Sequence, residues 1–259
     1  MTGPIFDMDL RAFRRDRAAR LGPELFLHER VFEDCLERLE MVKRSFGSAL
    51  LVGCPDPNWV GRLSAICPRV DVVDPGSLFV ERSGGRTIVE DAWTPEPGSY
   101  DLCVAIGTLD TVNDLPRALL TLRFALAPDG LLIGALAGGE TLPQLRRALL
   151  AADGVIGSAS PHVHPRIAPA AFAGLLGAAG FTMQVVDVDR VRVGYPDLAG
   201  LIRDLRRMGA TNVLAERSGT PFTRPAWDTA SLAFAQAGDG QVTEETFDIV
   251  HFSGWAPSD

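Results

Sequence analysis

Lysine is almost missing: the 259-residue chain has Lys43 alone, and its other basic side chains are arginine, which we read as coding bias rather than function. Acidic residues outnumber basic ones, 33 to 25, for a formal net charge of −8. A surface that tracks a phosphate backbone needs a positive field, so this balance argues against nucleic acid as the main partner. No apolar run approaches the roughly 20 residues of a membrane-spanning helix. The richest stretch, 130–139, is short and bounded by glycine, as a buried strand is. Cysteine is scarce, and Cys35, Cys54, Cys67 and Cys103 form no C-x-x-C pair, so no metal site is expected. Their apolar neighbours predict buried free thiols in a reducing compartment. The first 20 residues lack a secretory apolar core, and Asp7, Asp9 and Asp16 interrupt their arginines, unlike an acid-poor mitochondrial presequence. The expectation is a cytoplasmic protein with a basic amphipathic N-terminal helix.

Hydrophobic residues make up 46% of the chain, enough for a sizeable core in one α/β domain. Helical spacing covers 9–20 and 24–45, where Phe26, Val31, Cys35, Leu36 and Leu39 recur at three- and four-residue steps. The pattern then alternates. Short apolar strands are predicted at 49–52, 70–73, 87–89, 100–106 and 131–136. Helices are predicted at 58–67, with Asn58 as its cap, at 115–126, ended by Pro128-Asp129-Gly130, and at 141–151. This alternation implies a mostly parallel, doubly wound sheet with helices on both faces. Further helices are expected at 168–178, 197–208 and 227–236, and strands at 182–193 and 247–255. The segments 154–165 and 209–224 are rich in Gly, Pro, Ser and Thr, and loops of that length are often functional lids. The division is an N-terminal helical cap, 1–45, and an α/β domain, 46–259, carrying both lids.

Four loops at strand carboxyl ends hold candidate site residues. After the first strand comes Gly53-Cys54-Pro55-Asp56-Pro57, where a nucleotide-binding βαβ unit brings backbone N–H groups to an anion. Pro55 and Pro57 have no N–H, and Asp56 adds negative charge, so the loop alone reads better as a plain strand-to-helix turn than as a nucleotide site. Asp74 ends the second strand about twenty residues on, the spacing of a ribose-binding acid and also of an ordinary Asp74-Pro75 turn. Glu90-Asp91-Ala92-Trp93 follows the third strand and fits either an adenine-side carboxylate beside an aromatic or a packed loop. Gly107, Leu109 and Asp110 follow the fourth strand, where ligands of open α/β sheets lie. His162 and His164 lack a third metal ligand and read as contacts to a substrate or lid.

Longer segments carry a resemblance. The run from Asn113 to Leu119 and the run from Leu126 to Gly130 resemble the region after the fourth strand of class I S-adenosylmethionine-dependent methyltransferases. Further segments narrow the match: Ile5-Phe6-Asp7, Gly138-Gly139-Glu140-Thr141-Leu142, Ser160-Pro161-His162, Val193-Gly194-Tyr195-Pro196, and Met208-Gly209-Ala210-Thr211-Asn212. They are similar to the group holding malonyl-carrier-protein O-methyltransferase and a mitochondrial complex I assembly factor credited with arginine hydroxylation. The resemblance implies a seven-stranded Rossmann-like fold and S-adenosylmethionine as cofactor. It implies cofactor contacts at Gly53, Cys54, Pro55, Asp74, Pro75, Asp91, Ala92, Gly107 and Leu109. It places Asp110, Gly139, His162, Tyr195 and Met208 at the acceptor, a small molecule or a protein. Leu51 stands where the family has an acid, Pro55 and Pro57 where it has glycines, and Asp110 where it often has histidine. Each lost donor or added repulsion costs about 1–3 kcal/mol, so weak or lost cofactor binding is implied. Three functions follow: methyl transfer to an unidentified acceptor; a cofactor-free assembly protein, for respiratory complex I or otherwise, that meets a partner through its N-terminal helix; or, ranked below these, arginine hydroxylation as credited to that assembly factor, for which no metal-ligand set is visible.

Overall fold

The computed structural model describes residues 3–220 and 222–258. Two helices lead, α1 (Met8–Leu21) and α2 (Phe26–Met41). Asp7 caps α1 by accepting the Leu10 N–H at 2.9 Å, and Gly22, at φ 81°, ends it ahead of Pro23. The alternating body follows: β1 (Ser48–Val52), α3 (Asn58–Ser64), β2 (Arg69–Asp74), α4 (Ser77–Ser83), β3 (Arg86–Thr87), β4 (Tyr100–Ile106), α5 (Leu115–Ala125) and β5 (Leu126–Gly138). The remainder is α6 (Pro143–Ile156), α7 (Pro169–Ala178), β6 (Thr182–Tyr195), α8 (Leu198–Arg207), α9 (Arg224–Ala235) and β7 (Thr243–Trp255). No helix among the described residues is long and apolar enough to cross a membrane.

The seven strands run in the order β3-β2-β1-β4-β5-β7-β6. β1 to β5 pair in parallel, while β7 lies antiparallel to both β5 and β6. This is the Rossmann-like class I methyltransferase architecture that the alternating pattern and the resemblance predict. The chain builds outward from β1 through β2 to β3, then returns to β4 on the other side of β1. That reversal opens a crevice at the carboxyl ends of β1 and β4, between the Gly53 and Gly107 loops. Apart from Ser48 and Asp101 near their starts, both central strands are buried and apolar because helices cover both faces of the sheet.

One face packs Leu119, Leu122, Phe172 and Leu176 of α5 and α7; the other packs Phe32, Leu39, Trp59 and Leu63 of α2 and α3. The α2 helix is therefore a layer of the sandwich rather than part of a separate cap, its Phe32 stacked on Trp59 at 4.4 Å. A third core, from α6, α8 and α9, sits over the carboxyl end of the sheet and closes on Leu145, Leu201 and Phe234. All four cysteines are buried free thiols.

Three local expectations need correction. Asn58 is the first residue of α3, not its cap; the Asp56 carboxylate accepts its N–H at 2.9 Å. The 154–165 loop is shorter than predicted because α6 continues to Ile156. The α1 helix is not amphipathic in the ordinary sense: its buried residues are Arg11, Arg15, Ala18 and Ala19.

At Gly134 of β5 an added Cβ would lie 1.9 Å from the Ala105 carbonyl oxygen of β4. Backbone on both sides cannot yield cheaply. Gly134→Ala is expected to lower stability by about 1–3 kcal/mol, read as a reduced urea midpoint at unchanged m-value.

Candidate functional site

At the crevice the central carboxylate is Asp74, which is 0% exposed. Its Oδ1 accepts from Arg15 Nε at 2.7 Å and from the Gly76 N–H at 2.7 Å. Its Oδ2 accepts from Arg15 Nη2 and from the Cys54 N–H at 2.9 Å. A carboxylate offers about four lone-pair sites, and here four donors fill them. The guanidinium of Arg15 also lies over the Phe79 ring, 5.1 Å from its centroid. One turn earlier on α1, Arg11 forks onto Glu90, with both bonds at 2.7 Å, and donates to the Thr108 carbonyl at 2.8 Å. Burial opposes the Arg11 charge, but the Glu90 carboxylate overrides it and holds its pKa above the usual arginine value.

The rest of the nucleoside side is equally committed. Gly53 sits at φ 85°, and a Cβ there would meet the Ile106 carbonyl at 2.3 Å, so the glycine has a packing reason to be present. Cys54, Pro55 and Pro75 are buried, and burial pushes the Cys54 thiol up to about 12. Asp91 spends Oδ2 on the N–H groups of Asn113 and Asp114, each at 2.9 Å, which ties its loop to the start of α5. Ala92 is exposed in a turn closed onto the Val89 carbonyl. Leu109 belongs to the α5-side core.

Open space lies elsewhere. A cavity of about 110 Å³ sits beyond β4 and β5, beneath α1, α2 and α8. Gly107, Asp110 and Met208 line it, and inside it Asp110 pairs with Arg166. Arg11 and Arg15, the arginines that hold Glu90 and Asp74, line it as well; the remaining wall is largely aliphatic, with His28 and His164 as neutral polar groups. Burial, and then the Arg15 charge, pulls His28 down to about 4; its Nδ1 is buried without a partner. Burial, and then Arg166, pulls His164 to about 4, consistent with its Nε2 accepting the Val213 N–H at 3.0 Å. His162 lines a neighbouring cavity and is bonded to Asp153 at 2.7 Å. Gly139 packs against Asp248, and Tyr195 is buried in the third core; neither lines these two cavities.

Gly107, expected at the cofactor, and Asp110 and Met208, expected at the acceptor, thus line one cavity, together with Arg11, Arg15, His28 and Arg166, which the sequence did not single out. A signal for Arg11 and Arg15 existed. Positions 11, 15, 18 and 19 share one helical face, and a face holding two small alanines is one that packs.

A family model described as "Methyltransferase domain" matches residues 24–186. The chain is 32% identical to "Arginine-hydroxylase NDUFAF5, mitochondrial" of Danio rerio, covering 98% of this chain and 84% of that one. It is 33% identical to "Malonyl-[acyl-carrier protein] O-methyltransferase" of Xylella fastidiosa, covering 62% of this chain and 53% of that one. Among solved structures, the YcgJ protein of Bacillus subtilis aligns with a TM-score of 0.60 at 11% identity, over 88% and 99% of the two chains. The family implies S-adenosylmethionine. The residues present do not fit its nucleoside half as arranged. A ribose diol would find every Asp74 acceptor site taken by protein donors, and Arg15 lies against that carboxylate.

The two neutral histidines give the fold a pH signature. Their folded values lie below the unfolded value of about 6.5, so the unfolded chain protonates first as pH falls. Their contribution is complete above pH ~6.5 and is lost towards pH ~4, by up to about 1.4 kcal/mol per pH unit for each histidine. Urea unfolding should show a lower midpoint at pH 5 than at pH 7. His28→Leu should shrink that difference; an identical acid loss in the variant would remove His28 from the account.

Proposed function

From the premise that this chain belongs to the methyltransferase domain family, we propose that it is a cofactor-free binding protein built on the methyltransferase fold. The observation that carries this reading is the Arg15–Asp74 pair: the acid at the ribose position is consumed by the protein's own helix. The altered β1 loop supports it, because Pro55 and Pro57 give no N–H to a ligand and Asp56 places a negative charge there. The Arg11–Glu90 pair supports it by fastening the same helix a turn away. A partner of the protein-assembly kind is favoured by the similarity to the NDUFAF5 relatives over nearly the whole chain. The inner face of α1 is closed to that partner, so contact would fall on its outer face and on the loops beside it.

A second reading, S-adenosylmethionine-dependent methyl transfer to an unidentified acceptor, is favoured by one observation. Gly53 and Asp74 stand where the fold places a cofactor, and it is the α1 arginines that hold the acid. Under that reading α1 is a latch, and the apparent affinity is reduced by the small fraction of open molecules.

Calorimetry separates the two. The full chain is expected to give no heat with S-adenosylmethionine or S-adenosylhomocysteine at about 1 mM, a threshold near −4 kcal/mol. Arg15→Gln, with folding checked by circular dichroism, is expected to stay silent as well. Micromolar binding by the natural chain, or binding gained in Arg15→Gln, would overturn the cofactor-free reading and establish the latch.

A further inference from the structure

The outer face of α1 carries a second set of arginines with the opposite character. Arg14 and Arg17, three residues apart, converge on one acceptor, the Thr211 hydroxyl: Arg14 through Nη1, and Arg17 through Nη2 at 2.9 Å. Arg206, in the last turn of α8, lines the same cavity, which has a volume of about 290 Å³. No carboxylate forms an ion pair with Arg14, Arg17 or Arg206 among the described residues. The Nε atoms of Arg14 and Arg17 are buried without a hydrogen-bond partner. The nearby acid Asp7 is spent on the α1 cap and on Arg217, at 2.9 and 3.1 Å. Burial, with Arg17, Arg217 and Arg206 adding repulsion, lowers Arg14 to about 10.

This is unusual for a chain with eight more acidic than basic residues. Carboxylates are plentiful, yet of the four arginines lining this cavity only Arg166 has one, Asp110; Arg14, Arg17 and Arg206 have none among the described residues. Buried polar groups normally find partners, and a cluster of like charges normally finds a counter-charge. The same cavity is lined by the apolar side chains of Leu145, Leu149, Ile202 and Leu205, and by His162 and His164. At about 290 Å³ the space falls at the lower end for small-molecule sites.

We infer that the groove between α1 and α8 binds a small amphiphilic phosphate: a phosphoryl head held by Arg14, Arg17 and Arg206, with a short apolar chain against the leucine wall. Guanidinium groups arriving from two helices suit a tetrahedral dianion with three acceptor oxygens better than a planar monoanion. The site is separate from the closed nucleoside side, so its test stands apart from the cofactor question.

The probes are inorganic phosphate, hexyl phosphate and hexanoate, titrated into the full chain by calorimetry, and vesicles containing phosphatidic acid in co-sedimentation. Hexyl phosphate is expected to bind at least about tenfold more tightly than either phosphate or hexanoate, a gap of ~1.4 kcal/mol. Its affinity should fall as salt rises. Arg17→Gln and Arg206→Gln should each weaken it about tenfold, while Arg203→Gln, on α8 but outside the cavity lining, should leave it unchanged. Both tested positions are at least partly exposed, so folding is expected to survive. Silence with hexyl phosphate at millimolar concentration, or unchanged affinity in Arg17→Gln and Arg206→Gln, would overturn the site. Hexanoate binding as well as hexyl phosphate would overturn the phosphoryl assignment. Vesicle sedimentation without hexyl phosphate binding would replace the pocket with a membrane-facing patch.

Discussion

The Asp74 carboxylate organises the carboxyl edge of this sheet. It lies at the end of β2, fully out of solvent, where an unpaired charge would be costly. Two backbone donors come from the turns that flank it, Cys54 after β1 and Gly76 before α4. The other two come from one side chain, Arg15, on a helix 59 residues away in sequence. The group thus joins β1, β2, α4 and α1 through four bonds, and α1 owes its place to the residue that the fold would otherwise offer a ribose.

Replacing a ligand by an internal guanidinium has energetic consequences. A buried ion pair is seldom worth more than well-packed apolar groups, yet breaking one by removing a single partner costs about 3–5 kcal/mol. Three such pairs are gathered at this end of the sheet: Arg15–Asp74, Arg11–Glu90 and Arg166–Asp110. They give little net stability compared with a greasy core, but the two-pronged Arg15–Asp74 and Arg11–Glu90 pairs specify position sharply, because each fork fits its carboxylate in one orientation. The nucleoside side is closed by directional contacts, while the neighbouring cavity beyond β4 and β5 keeps an apolar wall and two neutral histidines. One end of the crevice is fixed and the other retains space.

The sheet was legible in the chain because its information is local. The run at 49–52, the run at 100–106 and the glycine and proline punctuation between them announce buried parallel strands without knowledge of anything distant. The loop Gly53-Cys54-Pro55-Asp56-Pro57 likewise announced that few backbone donors remain. What could not be read locally was partnership. Asp74 before Pro75 looks the same whether it faces a ribose, water or Arg15, and only the packing of α1 decides. The short helix α4 was not predicted: like α3 it has seven residues, too few for periodicity to register, and the Pro75-Gly76 pair before it reads as a turn where α3 had Asn58 as a start signal. Arg11 and Arg15 looked like solvent-facing charge because arginine usually is; the two alanines that share their face were the better guide. Gly139 and Tyr195 lie in segments that match the family, yet their side of the structure is packing, against Asp248 and within the α6–α8–α9 core.

Arginines on adjacent positions of one helix tie the two halves of the problem together. Arg15 points inward to Asp74 and is fully paired, while Arg14 and Arg17 point to the α8 groove and are short of acceptors. Because α1 is rigid over such a distance, the groove exists in this form only while Arg15 is seated. An anion bridging α1 and α8 would therefore bind the closed arrangement and not an opened one, stabilising it by RT ln(1 + [L]/Kd). Conversely, any ligand that needed Asp74 would have to lift α1 and dismantle the groove. Were both sites to take their ligands, they would be coupled with opposite sign, and linkage requires that effect to be reciprocal.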